Sequence, residues 1–150
     1  MIRYVAVGIS LIPLSCGCND GLNPVAKRGK SLYEASCASC HLSSGEGKEG
    51  VGPSLVGSKW VTGSPERLAR ISLYGIRGPI VVNGQQFNLE MPGVYYYQFD
   101  DGQMAAVLTY VRQSWGNDAS PVPPGLVATV RNECGERGDS WTVEELAKRD

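Results

Sequence analysis

Histidine is nearly absent from this chain. Its 150 residues include one, His41, so the chain by itself excludes a site built on two imidazoles. Charge is sparse, at 19% of residues with a formal net charge of −1. That leaves no basic face of the kind nucleic acid requires. No apolar run approaches the ~20 residues of a membrane span. Tyr4 to Leu14, mostly apolar, is only eleven residues long. There is no internal repeat and no βαβ pattern. Methionine is limited to Met1, Met91 and Met104.

Glycine and proline, by contrast, are plentiful, with nineteen and nine residues. The chain length suits one domain, loop-rich and with little surplus core of its own. Five cysteines stand at positions 16, 18, 37, 40 and 134. Cys37-Ala38-Ser39-Cys40-His41 is the densest chemistry in the chain. Spacing of three on a helical turn puts both sulfurs on one side. A histidine directly after them makes the stretch a signature of covalent c-type haem attachment, and a buried haem would supply the missing apolar mass. Thioethers would form from Cys37 and Cys40, and the His41 imidazole would reach the iron as proximal ligand. Other readings compete. A redox C-x-x-C belongs beside a βαβ unit. A zinc site needs about four ligands, and here only Cys37, Cys40, His41 and distant Cys134 are on offer. The bland alternative is a chance match at the end of a core helix.

With one histidine, a second axial ligand has to be something else, and thioether sulfur is the natural choice. Met91 sits on a loop stiffened by Pro92, fifty residues after His41. Met104 falls on the first turn of an amphipathic helix, where core packing is the expected role. Met91 is therefore the expected sixth ligand; its bland reading is a loop methionine filling a gap.

The chain divides into four stretches. Residues 1–17 read as a signal peptide, with Arg3 before a short apolar region. Ser15-Cys16-Gly17-Cys18 resembles a lipoprotein cleavage site, although the leucine preferred three residues upstream is missing at both cysteines. Lipidation of Cys16 or Cys18, ordinary cleavage and an uncleaved anchor all place the domain outside the cytoplasm, in the periplasm. Removing residues 1–17 takes away Arg3 alone and leaves a net charge of −2. Residues 18–23 form a linker, 24–116 the main domain and 117–150 a C-terminal extension packed on it.

Within the domain, Pro24 starts a helix running to about Cys37, with Ala26, Gly29, Leu32 and Tyr33 on one face. Residues 42–63 hold six glycines and one proline and read as loop. Ser64 and Pro65 open a second helix that ends at Gly75 or Gly78. Asn83-Gly84 between two short runs is a hairpin signal, and residues 88–93 are irregular. Asp100 or Asp101 caps the clearest helix, Gly102 to about Trp115. In the extension, Val127 to Arg131 reads as a short helix. Thr142-Val143-Glu144-Glu145 is a capping box, with Trp141 ahead of it. Trp141 and Leu146 would tie the tail to the body.

The stretch from about Asn23 to Trp115 resembles a class I c-type cytochrome. The likeness rests on C-A-S-C-H at 37–41, G-P-S-L at 52–55, M-P at 91–92 and the two terminal helices. It implies an all-α fold of helices around one covalently bound haem, with a small hairpin added. It implies that the Pro53 carbonyl accepts the other imidazole N–H of His41 and that Leu55 packs on the haem. It also implies that Gly29 and Tyr33 cross the last core helix at Val107 and Tyr110. The runs G-S-K-W-V (57–61), G-P-I-V-V-N-G (78–84), A-A-V-L-T-Y-V-R (105–112) and W-T-V-E-E-L (141–146) are similar to monohaem cytochromes found with periplasmic sugar and quinoprotein dehydrogenases. The function so implied is a one-electron carrier, not an enzyme, passing electrons from a dehydrogenase to a terminal oxidase or another cytochrome. A haem sensor with a labile sixth ligand and a permanent subunit of a dehydrogenase complex are the alternatives. Cys134 and Tyr95-Tyr96-Tyr97 depart from the pattern. Cys134 reads as a buried small residue or, if Cys16 is lipidated, a partner for Cys18. Trp60 and Arg77 are candidates for the haem propionates.

Overall fold

The computed structural model describes residues 22–94 and 99–149. The architecture is mainly helical. Helix α1 (Pro24–Ser36) starts where Asn23 accepts a hydrogen bond from the Ala26 N–H at 2.9 Å, with Pro24 in the first turn, where a missing N–H costs nothing. A four-residue turn, α2 (Ala38–His41), follows at once. Helix α3 is the short Lys59–Thr62, and α4 is Pro65–Tyr74. Strands β1 (Gly75–Ile76), β2 (Pro79–Val82), β3 (Gln85–Asn88) and β4 (Met91–Pro92) come next. Helix α5 (Asp101–Arg112), α6 (Pro124–Cys134) and α7 (Val143–Ala147) complete the chain.

Helices α1 and α5 cross at Gly29. A Cβ there would lie 1.9 Å from the Ala106 carbonyl oxygen and 2.9 Å from the Tyr110 Cβ. Only a residue without a side chain permits that approach. Val107, next to Ala106 on α5, lines the cleft described below. Tyr33, Tyr110 and Trp115 close the crossing, with ring centroids 5.2–5.3 Å apart in each pair. Such tilted and edge-on pairs add to the area they bury.

Two antiparallel pairs replace a sheet. The hairpin pairs β2 with β3 around Asn83 and Gly84, both at positive φ, 51° and 80°, as a tight two-residue turn demands. The other pair joins segments far apart in sequence: Gly75 faces Pro92 and Ile76 faces Met91. On the other edge of β1 lies the C-terminal extension. Trp141 N–H donates to the Gly75 carbonyl at 3.0 Å and Arg77 N–H to the Trp141 carbonyl at 2.8 Å. Trp141 is 2% exposed and Leu146 1%. The capping box at Thr142 and Glu145 forms as read.

Four elements differ from the reading above, the first being β4, since Met91–Pro92 pairs as a strand inside a stretch read as irregular. Helix α5 is capped by Asp100 and stops at Arg112. Trp115 and Gly116 take positive φ, 56° and 84°, and turn the chain away. Helix α6 runs over eleven residues and not the five read as Val127 to Arg131, because Pro124 begins it in the first turn, where a missing N–H costs nothing. Ser58 caps α3 inside the stretch read as loop. The tyrosine run, Cys16 and Cys18 lie outside the described residues. Among the described residues no helix is long and apolar enough to cross a membrane.

Candidate functional site

Between α1, α4, α5 and the hairpin lies a cleft of about 90 Å³. Its walls are almost wholly apolar and include Leu55, Val61, Leu68, Ile71, Ile80, Val107, Leu108 and Val111. Cys37, His41, Pro53, Trp60 and Met91 also face it.

One wall is built from α2 and the glycine-rich loop. His41 is 7% exposed, and its Nδ1 lies 2.9 Å from the Pro53 carbonyl. A carbonyl only accepts, so Nδ1–H donates, and in the neutral ring Nε2 keeps its lone pair. Burial pushes the imidazole below its ordinary pKa, opposed by the Pro53 hydrogen bond. The neutral, ligating form is therefore favoured. The chain leaves α2 through Leu42 at φ 60°, held there because the Tyr33 hydroxyl donates to the Leu42 carbonyl at 2.7 Å.

The glycines explain how Pro53 comes so close. A Cβ at Gly47 would sit 2.5 Å from the Pro53 carbonyl carbon, and one at Gly52 would be 3.0 Å from the Cys40 carbonyl oxygen. Trp115 packs over Gly45, whose Cβ would be 2.5 Å from the indole. Its Nε1–H donates to the Ser43 carbonyl at 3.1 Å. Asn117 fastens the loop further along. Its amide donates to the carbonyls of Leu55 (3.1 Å) and Val111 (2.8 Å) and accepts from Gly57 N–H (2.8 Å). Buried Arg112 donates to the carbonyls of Val61, Gly63 and Ser120 at 2.6, 2.9 and 2.8 Å. Neither Asn117 nor Arg112 stood out in the sequence. Each acts on residues some fifty or sixty positions away, and no local pattern marks that.

Cys37 and Cys40 belong to no disulfide. Burial raises the Cys37 thiol above its ordinary pKa, partly offset by its hydrogen bond with Ser36. Cys40, on α2, is half-buried.

Met91, placed by the β1–β4 pairing, also lines the cleft. Met104 is 1% exposed in the core and does not face the cleft. Trp60 does face it, but its Nε1–H is taken by the Val81 carbonyl at 2.9 Å. Arg77 does not line it. Cys134 is half-buried at the end of α6 and makes no disulfide among the described residues.

The cleft thus offers an imidazole nitrogen, a thioether sulfur and a thiol within otherwise apolar walls. Such a donor set suits an iron-centred macrocycle better than a hard cation, which wants oxygen. Among the described residues no cluster of three or more His, Cys, Asp or Glu could hold a bare metal ion.

Comparison with known proteins agrees. Residues 26–115 match the family model described as cytochrome c. Cytochrome c-552 of Thermus thermophilus is 35% identical over 101 residues, covering 65% of this chain and 66% of the relative. The fructose dehydrogenase cytochrome subunit of Gluconobacter japonicus is 37% identical over 106 residues, 69% of this chain and 22% of that subunit. The gluconate 2-dehydrogenase cytochrome c subunit of Pantoea cypripedii is 29% identical over 110 residues, 72% of this chain and 25% of that subunit. The chain spans just under two thirds of the first relative's length and a quarter or less of the two dehydrogenase subunits. The match to the cytochrome c model covers more than half of its residues, and this chain belongs to the cytochrome c family.

Proposed function

We propose that this chain is a one-electron carrier of the class I, monohaem type. One haem c is bonded through Cys37 and Cys40, with His41 and Met91 as axial ligands. The observation that carries the reading is the presence of His41 and Met91 side chains on the walls of one apolar cleft. The haem supplies a ferric/ferrous couple that takes up one electron from a donor and yields one to an acceptor.

The chain's own residues do the rest. Pro53 fixes the His41 tautomer and ring plane, and a fixed N–H partner raises the basicity of the ligating nitrogen. Met91 favours the reduced state. Leu55 and its apolar neighbours exclude water, which strengthens the electrostatic control of potential. The donor is a dehydrogenase of the kind the relatives' names describe. The acceptor is a terminal oxidase or another cytochrome. Contacts with both are small and transient. Residues 1–17 direct the chain to the periplasm, with lipid on Cys16 or Cys18; mass spectrometry of the mature N-terminus identifies which.

The test is an optical redox titration of the haem-loaded protein beside Met91→Ala and Met104→Ala. The expected result is a positive potential that falls by on the order of 0.1 V or more in Met91→Ala alone; axial ligands command a span of ~0.8 V. A low potential and ready carbon monoxide binding in the unmutated protein would replace this reading with the sensor one. Two relatives are named as dehydrogenase subunits, which favours a second arrangement, a permanent subunit. Co-purification with a large dehydrogenase distinguishes it from a free shuttle.

A further inference from the structure

The strand that carries Met91 is thin. Strand β4 is two residues long, and its ladder partner β1 is two residues long. A ladder of that length has little stability by itself. What lies behind it is the C-terminal extension. Trp141 pairs with the far edge of β1 through both of its backbone groups, at 3.0 and 2.8 Å. Ser140 Oγ donates to the Glu90 carboxylate at 2.9 Å, and Glu90 immediately precedes Met91. Gly75 sits where the segments meet. A Cβ there would lie 2.4 Å from the Met91 carbonyl oxygen and 2.8 Å from both Gly93 N and Ser140 Oγ.

The tail is itself braced. Arg137 lies 3.7 Å over the Trp141 ring. The same guanidinium pairs with Glu145 at 2.8 Å and donates to the Asp139 and Ser140 carbonyls at 2.8 and 3.3 Å. From a fixed turn, Ser140 therefore meets the residue before Met91 and Trp141 backs the strand that Met91 pairs with.

We infer that Ser140 and Trp141 are positioning residues for Met91, holding its strand in place and so limiting how often the thioether leaves the iron. The inference rests on Met91 being the sixth ligand. An outside ligand can bind ferric iron only while Met91 is away, so its apparent affinity reports the fraction of time the strand is released. A tail that merely added global stability would leave that fraction unchanged in the folded protein.

The experiment is an imidazole titration of the full-length, haem-loaded ferric protein, read by its absorption spectrum. Met91→Ala gives the ceiling, the affinity of a permanently vacated position. Ser140→Ala is expected to bind imidazole about threefold more tightly than the unmutated chain, in keeping with one exposed hydrogen bond. Glu90→Ala should do the same, and the double variant should gain nothing further, since both remove one interaction. Glu90→Gln keeps an acceptor oxygen for Ser140 and should stay near the unmutated value. Trp141→Ala should move closest to the Met91→Ala ceiling. Where that variant fails to fold, the Ser140 and Glu90 variants decide alone. Unchanged imidazole affinity in both, with Met91→Ala clearly tighter, overturns the inference and leaves the ligand assignment standing. Met91→Ala binding no more tightly than the unmutated chain overturns the ligand assignment and the inference with it.

Discussion

The two walls of the cleft are held in different ways. The His41 wall is over-determined: Tyr33, Pro53, Asn117 and Trp115 each fix a different stretch of it by hydrogen bonds, two glycines let backbones touch and a third makes room for the Trp115 indole. The Met91 wall consists of a two-residue strand leaning on another two-residue strand, with the tail behind. A carrier gains from this asymmetry. The rigid wall keeps the imidazole in one orientation, and the thinner wall leaves the placement of Met91 open to adjustment by residues distant in sequence.

The largest effect should come from removing the support behind the thin wall. Trp141→Ala deletes a buried indole and is expected to cost about 3–5 kcal/mol in denaturant unfolding. Hydrogen exchange should sharpen the contrast. The Arg77 and Trp141 amides should exchange faster in the variant, while the His41 and Leu42 amides stay protected. Equal loss of protection on both sides would break the comparison and make the walls one cooperative unit.

A smaller loss is expected on the rigid side. Asn117→Ala removes three hydrogen bonds from one amide, leaves the Val111 carbonyl and the Gly57 N–H without that partner and leaves the Leu55 carbonyl with a long bond from the Ser58 N–H at 3.4 Å, at a cost of about 2 kcal/mol. The Gly57 amide should lose protection, and the Met91-side amides should not. Were the loss spread evenly, Asn117 would be a general staple and no part of one wall.

The smallest effect concerns acid. Glu145 is held below the ordinary carboxylate value of 4.5 by the Thr142 backbone N–H first and then by Arg137. A folded-state value below the unfolded one stabilises the chain above the ordinary range, and that stability is lost as pH falls through the lowered value. Glu145 is 41% exposed, so screening keeps the contribution under about 1 kcal/mol. Glu145→Gln should be slightly less stable than the unmutated chain at neutral pH, and the difference should vanish in acid. A difference independent of pH would point to packing and not charge.

These contrasts also mark what the sequence made legible. The caps at Ser64 and Thr142 are patterns confined to a few neighbouring residues, and they are found where expected. The hairpin turn at Asn83-Gly84 is equally local. The pairing of Ile76 with Met91 could not be read, because two-residue strands carry no period. Arg112 and Asn117 looked like ordinary polar residues at a helix end, and their partners lie far back in the chain. Helix α5 ends early because Trp115 takes a left-handed turn that an aromatic residue does not advertise.

The junction at Gly75 bears on how such a chain can vary in length. The stretch between α6 and Arg137 can gain or lose residues, since loop length changes closure entropy only slowly. Ser140 and Trp141 cannot shift by even one position against β1, because a one-residue slip turns each side chain to the opposite face. Between α6 and α7, length variation is thus confined to the residues ahead of Arg137, and everything from Arg137 to Glu145 travels as a fixed unit with the strand it backs.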